Sequence, residues 1–131
     1  MTAADPAELL RAASMLADAF RRRDLKAALA CFVTDDDISY VGSEPGERAD
    51  GAAAVTALLT ELFARPEAYS WDVHTASAVH AAAGIAYLTC EAVGHVHTDA
   101  GQHETYPYRL SGLLQHTESG WLWRACHGCE P

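Results

Sequence analysis

The hydrophobic pattern of this chain changes period once, near Tyr69. Before that point apolar residues recur at helical spacing; after it they alternate with polar ones. Asp5-Pro6-Ala7-Glu8 reads as a helix start, with an Asp cap, Pro at the first helical position and Glu at the third. Leu9, Ala13, Leu16 and Phe20 then share one face, which predicts a first helix over about 6–23. Asp24 is placed to cap a short second helix through Leu25, Ala28, Leu29 and Phe32. A short β run, Ile38 to Val41, leads into the loop Gly42 to Glu47, whose Pro and two Gly are turn-forming. A third helix is expected from near Asp50, with Val55, Leu58, Leu59, Leu62 and Phe63 on one face, and it must stop before Pro66.

Beyond Tyr69 the segments Ser70 to His80, Gly84 to Thr98, Glu104 to His116 and Trp121 to Cys129 read as four long strands. Their connections are short, so neighbours should pair antiparallel. The order predicts an α+β fold in a single domain over residues 1–131. Three N-terminal helices would pack on one face of a strongly curved, mainly antiparallel sheet, a cone with an internal pocket. The uncovered face of that sheet would need a partner, which favours a dimer.

The last hairpin concentrates aromatic residues and histidines, and its register decides what it lines. A two-residue turn at Glu118-Ser119 pairs Leu110 with His127 and sets Tyr108, Leu110, Gly112 and Leu114 beside Trp123. A bulge at Gly120 would substitute Arg109, Ser111 and Leu113. The first register groups the aromatics and is preferred here, with the second left open. Strict alternation puts His127 on the same face as Trp123 and Ala125.

Composition narrows the function. The 131 residues carry a formal net charge of -9, which argues against nucleic-acid binding. The cations are almost all Arg, clustered at Arg21, Arg22 and Arg23, and read as the solvated end of the first helix. No apolar run approaches the length of a membrane span and no basic leader precedes an apolar stretch, so a cytoplasmic protein without a membrane partner is expected. Cys126 and Cys129 have Cys-x-x-Cys spacing, but on an extended strand their sulfurs face opposite ways, and free thiols are expected. No phosphate-binding Gly-rich loop, HExxH or GxSxG is present.

Several words of the sequence carry a resemblance: Ala19-Phe20-Arg21 with Asp24, the Gly42 to Glu47 loop before Gly51, Tyr108-Arg109-Leu110-Ser111-Gly112, and Trp121-Leu122-Trp123-Arg124 with His127-Gly128. Together with the element order they resemble the SnoaL-like branch of the nuclear transport factor 2-like superfamily, the cystatin-like α+β cones. The resemblance implies a pocket, a homodimer and no obligatory metal or cofactor. It leaves the reaction open, because isomerases, cyclases, hydrolases, dehydratases and purely binding members share the fold. Ketosteroid isomerases in the superfamily use a carboxylate base with a Tyr and a protonated Asp in an apolar pocket. Here the segment around Asp37 is shorter where that base would lie, the first helix has Phe20 and no Tyr, and Gly112 stands about where the Asp would be. That argues against steroid isomerisation by the same machinery.

Proton-transfer chemistry needs a titratable group in apolar surroundings. His127 is the leading candidate, with a hydrogen-bonded rim histidine as the alternative reading. Asp37, where the first strand would meet the cleft, is a second candidate acid–base group, although an acidic turn alone would explain Asp35-Asp36-Asp37. Tyr40, Trp71, Tyr108 and Trp123 are expected to shape the substrate pocket. Glu91 is a further carboxylate that could lie on either face. His95 and His97 share one strand face in a pattern compatible with metal binding, but the spacing alone assigns no ligand set, and no metal is expected. The reading is therefore a cofactor-independent acid–base enzyme for a small apolar or polycyclic ligand. The alternative is a non-catalytic binding or dimerisation module.

Overall fold

Asp5 accepts a hydrogen bond from the Ala7 amide at 3.0 Å, and Pro6 follows it at the first helical position. These two residues start α1 (Pro6–Arg22), whose buried face includes Leu9, Ala13, Leu16 and Phe20. In the computed structural model, which describes residues 5–131, α2 (Leu25–Leu29) follows and is capped by Asp24. Then come β1 (Ser39–Val41), β2 (Arg48–Asp50), α3 (Ala52–Phe63), β3 (Glu67–Ala82), β4 (Ile85–Thr98), β5 (His103–Thr117) and β6 (Gly120–Cys129). Strand β2 falls in a segment that carries no strand pattern of its own.

The strands form one six-stranded sheet in the order β2-β1-β6-β5-β4-β3. All neighbours pair antiparallel except β1 and β6, which are parallel. This corrects the expected cone. The sheet is open: β2 and β3 are its two edges and do not pair, so the α+β class holds but the strongly curved, cone-shaped sheet does not. A mixed open sheet carries the three helices instead.

The acidic run after α2 has structural duties. Asp36 accepts from the Ala52 amide at 3.0 Å and so caps α3, whose own N-terminal residue, Gly51, has no side chain to do it. Asp35 is bidentate with Arg124, at 2.9 and 3.1 Å. The basic run at the end of α1 is also tied down. Arg22 pairs with Asp18 and Asp24, and Arg23 reaches the Arg65 carbonyl and Asp99, each at 2.6 Å.

Two tryptophans join the sheet to α1. The indole N–H groups of Trp71 and Trp123 donate to the consecutive carbonyls of Ala13 and Ala12, at 3.2 and 3.3 Å. Both rings are buried, so each indole gains a partner it would otherwise lack.

The β5–β6 hairpin turns at Glu118-Ser119, pairing Thr117 with Gly120 and Leu114 with Trp123. Arg124 is then an extra residue: Leu113 pairs with Ala125 and Ser111 with His127. The bulge reverses the alternation, so Trp123 and Cys126 are both buried while His127 is exposed. Gly112 lies opposite this irregularity, and a Cβ there would stand 2.0 Å from the Ala125 carbonyl oxygen. No side chain fits at that position without moving backbone. Gly112→Ala should therefore cost about 1–3 kcal/mol by overpacking. A fall in the urea unfolding midpoint would show it; an unchanged midpoint would mean the strands do not approach this closely.

Candidate functional site

Between the helices and the far end of the sheet lies a cavity of about 250 Å³. Its walls are aromatic: Phe20 from α1, Tyr40 from β1, Tyr69 and Trp71 from β3, Tyr106 and Tyr108 from β5. Phe20 packs against Tyr40 and Trp71, with ring centroids 5.8 and 5.2 Å apart, and Trp71 stacks on Tyr108 at 5.7 Å. Two glycines make room for the tyrosines. A Cβ on Gly94 would lie 2.3 Å from the Tyr106 ring, and one on Gly128 would lie 1.7 Å from the Tyr108 hydroxyl.

The polar part of the cavity comes from the β1–β2 loop, the end of α3, the start of β5 and the segment after β6. Glu47 folds back over Gly42, where a Cβ would meet its Oε1 at 2.5 Å. That same oxygen accepts from the Glu44 amide at 3.1 Å, while Oε2 lies 3.6 Å from Arg65 Nη1. The Glu47 side chain keeps only 12% of its exposure. Glu44, Glu104 and Glu130 also line the cavity, so Arg65 faces four carboxylates. A ligand carrying a carboxylate or phosphate would meet net negative charge here.

The hydroxyls of Tyr40, Tyr106 and Tyr108 make no hydrogen bond among the described residues, yet no buried side-chain polar atom is left wholly enclosed without one. They therefore reach the cavity, free to donate to a bound molecule. Desolvation raises Tyr106 to about 12 and pushes Tyr40 and Tyr108 well above the usual tyrosine value. All three are neutral donors at physiological pH.

The residues expected to form the site separate into two groups. Tyr40, Trp71 and Tyr108 line the cavity together. Trp123 does not; it is fully buried in the core against α1. His127 lies on the opposite face of β6 from Trp123, against the expectation that they share one, because the Arg124 bulge falls between them. Asp37 is 96% exposed, with its carboxylate 3.8 Å from Arg124, and does not line the cavity. Glu91 pairs with Arg109 at 2.8 Å, away from the cavity. All four cysteines are free thiols, with Cys126 buried and Cys129 partly exposed. Glu47, Arg65 and Tyr106 were not singled out by sequence reasoning. For Glu47 and Tyr106 the available signal was glycine, since Gly42 and Gly94 sit where these two side chains need space; no glycine marks Arg65.

A second, more open cleft of about 440 Å³ runs between α1 and the β3–β4–β5 edge. It contains His95, His97, His103 and Asp72. Among the described residues no three His, Cys, Asp or Glu side chains converge on one ion position. No described helix is long and apolar enough to cross a membrane.

The raised tyrosines link the cavity to alkaline stability. The unfolded chain releases tyrosine protons near pH 10, whereas the folded chain holds them, so stability is full below about pH 10 and falls as pH rises through about 12. Buried Cys31 and Cys90, each raised by desolvation to about 11, act in the same sense. The urea midpoint should fall across this window and fall less steeply in Tyr106→Phe. Parallel profiles for the two proteins would contradict the burial of that hydroxyl.

Solved structures share the architecture. A protein of Streptomyces avermitilis described as a candidate dehydratase of the NTF2-like family superposes with a TM-score of 0.78 at 16% identity, over 95% of this chain and 94% of that one. ActVI-ORFA of Streptomyces coelicolor gives 0.74 at 20% identity, over 93% of each chain. An NTF2-like superfamily protein of Salmonella enterica gives 0.77 at 14%, over 95% of this chain and 89% of that one. At these identities the likeness establishes the fold. No curated protein sequence matches the chain. The SnoaL-like domain family matches residues 10–128, nearly the whole length, and the chain therefore belongs to the SnoaL-like family.

Proposed function

We propose that the chain is a cofactor-independent enzyme that moves protons on a small aromatic or polycyclic ligand held in the tyrosine-lined cavity. One observation carries the reading: a shielded carboxylate, Glu47, shares an aromatic-walled cavity with three neutral tyrosine hydroxyls that lack protein partners. A carboxylate can take a proton from a carbon acid, and hydroxyl donors can stabilise the enolate oxygen that forms. This combination fits isomerisation, dehydration or cyclisation of a carbonyl compound, each of which can begin with such a step. The volume lies just below the usual ligand-pocket range of roughly 300–1,000 Å³, which favours one or two rings over a large polycycle. The four carboxylates favour a neutral or cationic ligand. The description of the Streptomyces avermitilis relative as a candidate dehydratase is in keeping with this class of chemistry.

In this reading the acid–base role passes from His127 and Asp37 to Glu47, with Tyr40, Tyr106 and Tyr108 as donors and Trp71 as an apolar wall. The outer face of the sheet exposes Tyr87 and Val93, which supports a homodimer through that face. Free thiols suit a reducing, cytoplasmic setting. A binding-only module is favoured by one fact: the Glu47 carboxylate is already engaged by the Glu44 amide and Arg65.

Deuterium wash-in separates the two. In deuterated water, a panel of neutral and amine-bearing aryl ketones should exchange their α-protons faster with the protein than without it. Glu47→Gln should lower that rate about 100-fold or more, the usual share of a general base. His127→Ala should leave it unchanged. Exchange that survives Glu47→Gln would remove the mechanism, and saturable binding without exchange would establish the module.

A further inference from the structure

We propose that His95 and His103 form a two-imidazole site for a divalent transition metal, with Asp72 orienting His95 from behind. His95 is on β4 and His103 on β5, and both project from the sheet face opposite Tyr106 and Tyr108 into the cleft beside α1. His95 Nε2 lies 2.8 Å from Asp72 Oδ2. A carboxylate can only accept, so Nε2 carries the proton and Nδ1 presents its lone pair. In the metal-free chain that lone pair accepts from the His103 Nε2–H, 2.9 Å away, so metal binding replaces this hydrogen bond and leaves His103 with its proton on Nδ1. A carboxylate paired with the far nitrogen of an imidazole is the arrangement by which proteins orient a metal-binding histidine.

The separation is close to that of two ligands at a right angle. With metal–nitrogen bonds of about 2.1 Å, two nitrogens about 3.0 Å apart subtend close to 90° at the metal, whereas a tetrahedral site needs about 3.4 Å. Right-angled nitrogen ligands suit tetragonal Ni²⁺ or Cu²⁺ more than tetrahedral Zn²⁺. Water fills the remaining positions, since no third side chain converges on the ion among the described residues. The cleft is wide enough for a hydrated ion, and His95, with 18% side-chain exposure, is held while its mouth stays open. His97 stacks on His103 with ring centroids 4.1 Å apart and fixes that ring's plane.

Trp71 lines both this cleft and the tyrosine cavity, so an ion at the site lies close to an intrinsic fluorophore. The untagged full chain is titrated with NiCl₂ by calorimetry and by tryptophan fluorescence. One Ni²⁺ per chain should bind saturably and quench the emission, with the quenched fraction absent from Trp71→Phe. His95→Ala and His103→Ala should each weaken binding at least 10-fold. Asp72→Asn should weaken it about 10- to 100-fold, the usual effect of losing a metal ligand's carboxylate partner. His80→Ala, an exposed control, should not change it, and circular dichroism confirms that each variant is folded. Absence of saturable binding, or binding that persists in the His95→Ala/His103→Ala double variant, would overturn the site. Unchanged affinity in Asp72→Asn would overturn the orienting role of Asp72.

Discussion

The extra residue in β6, Arg124, is the constraint on which the layout of the site depends. Its guanidinium is fixed on several sides: Gln115 at 2.8 and 2.6 Å, the Asp35 carboxylate at 2.9 and 3.1 Å, and the Asp37 carbonyl at 2.6 Å. These bonds reach across from β5 and from the loop after α2, and they hold the bulge in place. With the bulge, Trp123 remains in the core against α1 and Cys126 also turns inward, beside Tyr40 of β1. Gly128 then comes under the Tyr108 hydroxyl, where no side chain would fit. Without the bulge, strict alternation would turn Cys126 and Gly128 outward and His127 inward. The aromatic cavity would lose the seat that its Tyr108 occupies.

Charge and burial divide the labour within the cavity. Burial among the aromatic walls disfavours ionisation of the tyrosine hydroxyls, so they can donate but do not readily lose their protons. The carboxylate comes from the short loop between β1 and β2, the one part of the lining that Gly42 and Gly46 allow to fold tightly. Arg65 bridges that loop and α3, since it meets both Glu47 and Glu61. Arg23 completes the frame by donating to the Arg65 carbonyl from the end of α1. Arg23 is the one non-glycine residue with positive φ among the described residues, and its two long-range contacts offset the cost of that conformation.

Much of this was legible in the sequence because it is locally encoded. The caps at Asp5 and Asp24, the helical stripe from Leu9 to Phe20, and the alternation of Tyr108, Leu110, Gly112 and Leu114 all follow from neighbours a few residues apart. They gave the helices, the meander and the inward face of β5, and they pointed to Tyr40, Trp71 and Tyr108. The bulge did not show because its cause is non-local: Arg124 and Asp35 are 89 positions apart. Its absence from the sequence reading is why His127 was expected inside. The openness of the sheet was likewise hidden, because closure depends on how the edge strands β2 and β3 end and not on the pattern within any strand. Strand β2 itself has no β-branched residue in Arg48-Ala49-Asp50 and exists by pairing with β1. Glu47 and Arg65 read as a loop charge and a helix-end charge until the fold brings them together.

The central claim is that ligand binds among Tyr40, Glu47, Tyr106 and Tyr108 and not on the outer face that carries His127. Chemical-shift mapping of the isotope-labelled chain against neutral, ammonium-bearing and carboxylate-bearing aromatic compounds tests it most directly. Saturable shifts should centre on those four residues and Arg65 for the neutral and cationic compounds, with His127 and Ser111 unmoved. Shifts centred on the outer face, or a preference for the carboxylates, would contradict it.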